Sequence, residues 1–186
     1  MVGARNASSL GLRMARVMAN ELAEAGFVVV SGLARGIDAA AHRGAVGSGT
    51  VAVMAGGTDV LYPAENADLA ADIAKTGVRL SEMPVGQQPQ ARHFPRRNRI
   101  MSGMTLGTVV VEAPEGSGSL VTANHALEQG REVFAVPGNI FAPSSRGVNK
   151  LISQSGAKLV QDSNDILEEL NLSSGGQQIE MTALSP

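Results

Sequence analysis

Gly26-Phe27-Val28-Val29-Val30-Ser31-Gly32-Leu33-Ala34-Arg35-Gly36-Ile37-Asp38-Ala39-Ala40-Ala41-His42 is the stretch on which the fold turns. Val28–Val30 is a short β-branched run closed by Ser31 and Gly32, which reads as a buried strand. The alanine-rich segment 36–46 reads as a helix. Between them, Gly32 and Gly36 permit close backbone approach.

The same unit recurs on both sides. Val51–Met54, Val78–Leu80, Val109–Val111, Val133–Val136 and Lys158–Val160 read as strands. Residues 9–25, 65–75, 95–104, 119–129, 146–154 and 163–171 read as helices. In the first of these, Ser8 or Ser9 can cap, Leu12, Ala15, Met18, Ala19 and Leu22 form an apolar stripe, and Gly26 can end it. Strands alternating with helices predict an α/β domain with a doubly wound, mainly parallel sheet. This domain spans 1–171, followed by a polar, aperiodic tail over 172–186. Met1-Val2-Gly3 reads as the last step of a first strand whose beginning is missing, since a strand usually has ~5 residues.

With 186 residues, 44% hydrophobic and 17% charged, the chain is long and apolar enough for one folded core. Cysteine is absent, which excludes disulfides, thiolate metal sites and cysteine nucleophiles and suits a reducing cytoplasm. No apolar run approaches the ~20 residues of a membrane span, and the first residues lack the zones of a signal peptide. Net charge is −2, so attraction of a polyanion must come from a local patch. Arg92, Arg96, Arg97 and Arg99 supply one within eight residues that hold no acid.

In a doubly wound sheet, ligands bind beyond the carboxyl ends of the strands. Four loops reach that edge. Gly3-Ala4-Arg5-Asn6 offers backbone N–H groups and one guanidinium. The Ser31–Asp38 loop sets Arg35 at a helix start, against the dipole, which suits an anionic ligand. Gly116-Ser117-Gly118-Ser119 opens a helix with two glycines and two hydroxyls, a phosphate cradle without the Gly-Lys-Ser/Thr of a Walker loop. Arg92-His93-Phe94-Pro95-Arg96-Arg97-Asn98-Arg99 joins cations to an aromatic ring on a loop, the minimal device for gripping a single strand. Arg97 or Asn98 could instead be buried and tie neighbouring loops together. Glu82 and Glu112 end strands and read as partners of nearby arginines. No dinucleotide fingerprint, nucleophile elbow or metal cluster stands out, so neither a cofactor nor a catalytic residue is expected.

Taken together, the strings Val2-Gly3-Ala4-Arg5-Asn6, Ser31–His42, Ala55-Gly56-Gly57 through Tyr62-Pro63, Ser81-Glu82, His93–Ile100, Gly116–Ser119 and Val136-Pro137-Gly138 resemble the DNA-processing protein A (Smf/DprA) family. The match runs in order from residue 2 to about 170. It implies an extended Rossmann-like, three-layer α/β/α domain that binds single-stranded DNA without being an enzyme. It also implies a homodimer that protects incoming DNA and helps load a RecA-type recombinase during natural transformation. Arg5 and the basic loop before Phe94 would contact DNA. Ala4 stands where the family often has Ser, and Ala91 where it often has Lys, leaving Arg92 as the nearest cation. The site expected on both grounds comprises Arg5, Arg35, Arg92, Phe94, Arg97, Asn98, Arg99 and Gly116 to Ser119. Two alternatives share the fold: a nucleotide-cleaving phosphoribohydrolase-like enzyme and a small-nucleotide sensor. The first needs a glutamate directly after its glycine string, where this chain has Leu120-Val121-Thr122.

Overall fold

The computed structural model of the chain describes residues 1–170; the expected polar tail at 172–186 lies outside them. Helix α1 (Ser9–Glu24) begins where the Ser8 hydroxyl accepts the Gly11 N–H at 3.0 Å. The Glu112 carboxylate accepts the N–H and O–H of Ser8 at 3.1 and 2.9 Å, a negative charge where the helix dipole favours one. Glu112 thus serves α1 and not an arginine. Gly11 makes the approach possible, since a Cβ there would stand 2.0 Å from the carboxylate.

Strand β1 (Val29–Ser31) leads to α2 (Ile37–Ala45), then β2 (Thr50–Val53), α3 (Ala67–Thr76) and β3 (Val78–Leu80). The chain returns through α4 (His93–Gly103) to β4 (Gly107–Val110), α5 (Gly118–Glu128), β5 (Glu132–Ala135), α6 (Arg146–Ser153), β6 (Lys158–Leu159) and α7 (Ser163–Glu169). Each element lies within two residues of its expected bounds. The shift at α4 matters: it starts at His93, so Phe94 stands in its first turn and not on a preceding loop. Pro95 allows this because a first-turn residue needs no N–H.

The strands form two three-stranded parallel sheets, β1-β2-β3 and β4-β5-β6. Met1–Ala4 lies between them. Val2 pairs in parallel with Val110, and Ala4 N–H bonds the Glu112 carbonyl at 2.6 Å. On the other side the Met1 nitrogen reaches the Val30 carbonyl at 2.7 Å, and the Ser31 hydroxyl donates to the Met1 carbonyl at 2.6 Å. From this segment the chain winds outward through β1 to β3, then crosses back and winds outward through β4 to β6. The reversal is a topological switch point.

Alternate residues of the buried strands feed opposite faces. Val109 and Phe134 pack with Met18, Ile37, Ala41 and Ile166 from α1, α2 and α7. Val110, Val133 and Ala135 pack with Met101, Ala123, Ala126 and Val148 from α4, α5 and α6. The result is the expected three-layer α/β/α, Rossmann-like architecture. Small residues let α1 and α2 touch: a Cβ on Gly44 would stand 2.2 Å from the Arg16 carbonyl oxygen. Among the described residues no helix is long and apolar enough to cross a membrane.

Phe134 is fully buried, and its ring lies where a Cβ on Gly107 would come within 2.7 Å. Phe134→Ala is therefore expected to cost about 3–5 kcal/mol in urea or thermal unfolding.

Candidate nucleic-acid interface

The carboxyl edge at the switch point is shaped by one buried cation. Arg97 projects from α4 into the gap where β1 and β2 diverge. Its Nη1 donates to the Gly32 and Val53 carbonyls, both at 2.6 Å, and its Nε donates to Asn98 Oδ1 at 3.1 Å. Only 6% of Arg97 is exposed. Gly32 must lack a side chain, since a Cβ would fall 2.4 Å from Nη1. Asp38 closes the group by accepting the Gly32 N–H at 3.1 Å. Burial raises the Asp38 pKa above the usual carboxylate value, and the positive charge of Arg97 opposes that shift. Burial likewise lowers the Arg97 pKa, and Asp38 opposes it.

Asn98 extends the brace, donating from Nδ2 to the Gly118 carbonyl at 3.3 Å. Arg97 and Asn98 therefore act as the loop-shaping pair that the sequence left open as an alternative. Asn98 is spent on Arg97 and on backbone, and Arg97 commits Nε and Nη1 in the same way.

Arg5 and Phe94 meet above this base. The Arg5 guanidinium carbon lies 5.4 Å from the Phe94 ring centroid and that of Arg97 lies 5.8 Å away, both within cation–π range. The Tyr62 ring meets Phe94 edge-on, centroids 6.0 Å apart. Gly36 brings Arg5 into place: it has φ +73°, and a Cβ would stand 2.2 Å from the Ala4 carbonyl oxygen and 2.5 Å from that of Arg5.

Two adjoining cavities share the wall formed by Arg5, Asn6, Phe94 and Arg97. One, about 270 Å³, is lined also by Arg35, Gly56 and Tyr62. The other, about 410 Å³, is lined also by Gly116 to Ser119, Thr122 and Ser144. Arg35 is exposed at the first and pairs with Glu65 at 2.9 Å.

The structure thus brings together Arg5, Arg35, Phe94, Arg97, Asn98 and the Gly116–Ser119 loop. It does not bring Arg92 or Arg99 into either cavity. Arg92 is exposed at the start of α4. Arg99 holds the Glu82 carboxylate at 2.5 and 2.6 Å, on a part of α4 outside both cavities. Glu82 thus has the arginine partner expected for it. Sequence reasoning missed Tyr62 as a site ring, although the signal was present: it is the only tyrosine and sits beside Pro63 in a loop that follows a strand.

A parallel sheet wound outward both ways from a central segment and covered by helices on both faces defines the class of doubly wound, Rossmann-like domains. Here arginines, a half-exposed phenylalanine and a glycine–serine helix start stand at the switch-point edge. More particularly, the chain belongs to the DNA recombination-mediator protein A family, whose profile matches residues 1–171. It is 48% identical over 172 residues to the DNA processing protein DprA of Bacillus subtilis, covering 91% of this chain and 58% of that protein. It therefore spans little more than half of that relative's length. The X-ray structure of DNA processing protein A from Streptococcus pneumoniae superposes with a TM-score of 0.83 at 44% identity, over 90% of this chain and 59% of that one. DNA processing protein A from Helicobacter pylori, solved for insight into its single-stranded DNA binding mode, gives a TM-score of 0.86 at 27% identity, over 92% of this chain and 78% of that one.

Beneath the site, His42 is fully buried, with Nδ1 2.9 Å from the Thr50 hydroxyl. Burial first, then the positive charges of the Met1 amine and Arg97, lower its pKa from 6.5 to about 3. The unfolded chain takes up this proton below pH 6.5 and the folded chain does not, so the stability is present above pH 6.5 and drains as pH falls toward 3. Between pH 6.5 and 5 this residue should remove about 2 kcal/mol of stability. Denaturant titrations at stepped pH should show the loss in the wild type and a flatter profile over that window in His42→Asn.

Proposed function

We propose that this chain is a single-stranded DNA-binding recombination mediator. It would protect incoming DNA and help load a RecA-type recombinase during natural transformation, acting in the cytoplasm as a homodimer. It would bind, not react: the strand would lie along the carboxyl edge of the sheet, with a base against Phe94 and Tyr62. Arg5 and Arg35 would face phosphates, and the Gly116–Ser119 loop would donate to one more. The observation that carries this reading is Phe94, a half-exposed ring flanked by the Arg5 and Arg97 guanidiniums at the switch point. A stacked base and a gripped phosphate need those two groups side by side, and every base presents a π face. Family membership and the single-stranded DNA binding attributed to the Helicobacter pylori protein support the same conclusion.

The nucleotide-cleaving alternative needs a free carboxylate beside the cradle. Here Glu115 is exposed and pairs with Lys150 at 3.1 Å, Glu112 is spent on Ser8, and Asp38 is buried against Gly32.

Titration with a labelled oligo(dT) of about 20 nucleotides at several salt concentrations tests the proposal. Each neutralised phosphate should contribute a slope of about −0.7 on logarithmic axes. Arg5→Ala should weaken binding and flatten the slope by about that amount. Phe94→Ala should cost about 1–3 kcal/mol with the slope retained. Arg92→Ala and Arg99→Ala should cost less than Arg5→Ala, because neither lines a cavity. Equal affinity of Phe94→Ala and wild type would end the stacking role.

For the dimer, Ile166 is buried and Leu167 and Leu170 pack on the core, whereas Ile140 and Phe141 are 73% and 83% exposed. The Ile140–Phe141 loop is thus the better-exposed of the two apolar candidates. Sedimentation should show a dimer that Phe141→Ser weakens; a monomer at high concentration would count against assembly.

A further inference from the structure

The 410 Å³ cavity on the far side of Phe94 is built differently from the aromatic cleft. Its floor is the start of α5, an 11-residue helix. Gly116 has φ +73°, which favours glycine whatever its surroundings. Gly118 has no such requirement, and a Cβ there would meet nothing within 4 Å. Neither backbone conformation nor packing among the described residues demands this glycine. Its effect is to leave bare backbone on the cavity wall, where the helix dipole favours an anion.

The side chains around this floor carry spare donors. Ser117 and Ser119 hydroxyls lie 2.7 Å apart, and Ser117 Oγ also accepts the Ser119 N–H at 3.3 Å. Whichever hydroxyl donates to the other, one proton is left over. Thr122, one turn further along α5, lines the cavity and is only 1% exposed. Among the described residues its hydroxyl has no hydrogen-bond partner. Helical threonines at buried positions commonly bond the carbonyl one turn back, and this one does not. Because Thr122 lines the cavity, a ligand there could take this donor. Arg5 supplies a cation to the lining, and of the two acids there Glu115 is paired with Lys150 and Asp38 is buried, accepting the Gly32 N–H. The cavity also lies within the ~300–1,000 Å³ typical of small-ligand pockets.

A phosphodiester inside a strand offers two free oxygens and one negative charge. A phosphomonoester offers three oxygens and up to two charges. Backbone donors, a spare serine proton, the Thr122 hydroxyl and a guanidinium match the second better. We propose that this cavity is a phosphomonoester site that takes the terminal phosphate of a nucleotide. The phosphate would be carried by the end of a DNA strand or by a free nucleoside monophosphate. Only the first source rests on the single-strand reading.

The test uses the full chain and oligo(dT) strands of equal length bearing a 5′-phosphate, a 3′-phosphate or hydroxyls at both ends, with dTMP and inorganic phosphate in separate titrations. Variants are Gly118→Ala, which fills the bare backbone without touching a neighbour, and Thr122→Val, which keeps shape and removes the hydroxyl. Melting temperatures within a few degrees of wild type would show that both fold. One phosphorylated strand should bind at least about tenfold more tightly than the hydroxyl-ended strand, as expected for one or two charge-assisted hydrogen bonds. That ratio should fall to about one in both variants. Saturable dTMP binding that both variants lose, without an end preference, would assign the site to a free nucleotide. No end preference together with no dTMP binding would overturn the proposal, as would binding of either kind that survives both variants. If the hydroxyl-ended strand fails to bind at all, the single-strand reading falls, while the dTMP titration still decides the cavity.

Discussion

The hydrogen bonds from Arg97 to the Gly32 and Val53 carbonyls govern the working edge of this domain. Where two parallel strands part, their last carbonyls lose ladder partners, and a buried carbonyl without a partner is costly. One guanidinium satisfies both. That solution imposes conditions nearby. Gly32 must have no side chain, a carboxylate must stand near the cation, and His42 below must remain neutral. A buried charge is costly without compensation, and the two carbonyls, Asn98 Oδ1 and the nearby charge of Asp38 supply it.

The same residue connects scaffold to site. α4 places Arg97 under the strands, Phe94 one turn earlier at the surface, and Asn98 against the Gly118 carbonyl. The wall between the two cavities is therefore anchored to β1, to β2 and to the helix start of α5. Arg5 completes it from the other direction, delivered by the central Met1–Ala4 segment and held close by Gly36. Loops from both halves of the sheet converge at the switch point, which is how an aromatic ring, a cation and a helix start come to line adjoining cavities.

Charge follows the same geometry. The chain as a whole is slightly acidic, and much of its surface charge is paired locally: Arg99 with Glu82, Lys150 with Glu115, Lys75 with Asp72. Arg5 is different because its neighbours are the Phe94 ring and Arg97. Among the described residues Arg5 has no carboxylate partner, so it adds a local positive field at a cavity wall that net charge does not reveal.

How far these features were legible from sequence depended on the range of the interactions behind them. Strand and helix order, the parallel doubly wound arrangement, the Ser8 cap and the Gly26 stop follow from local periodicity and turn chemistry, and each appears where the residues put it. The four Gly-, Ser- and Arg-rich loops were also visible, because strand ends in this fold class lie on one edge. The division of labour among Arg92, Arg97 and Arg99 was not. These arginines lie within one helical stretch, yet one is exposed at the helix start, one is buried under two strands, and one is held by a glutamate 17 residues away. Likewise, Glu112 serves a serine 104 residues away in the chain, and Tyr62, in a loop, meets a ring on α4. The sequence by itself determined the elements, their order and the edge where chemistry collects, because those depend on neighbours in the chain. Which cation faces a ligand and which becomes part of the scaffold was decided by tertiary structure alone, because that choice depends on which unpaired carbonyls and carboxylates the fold brings within reach.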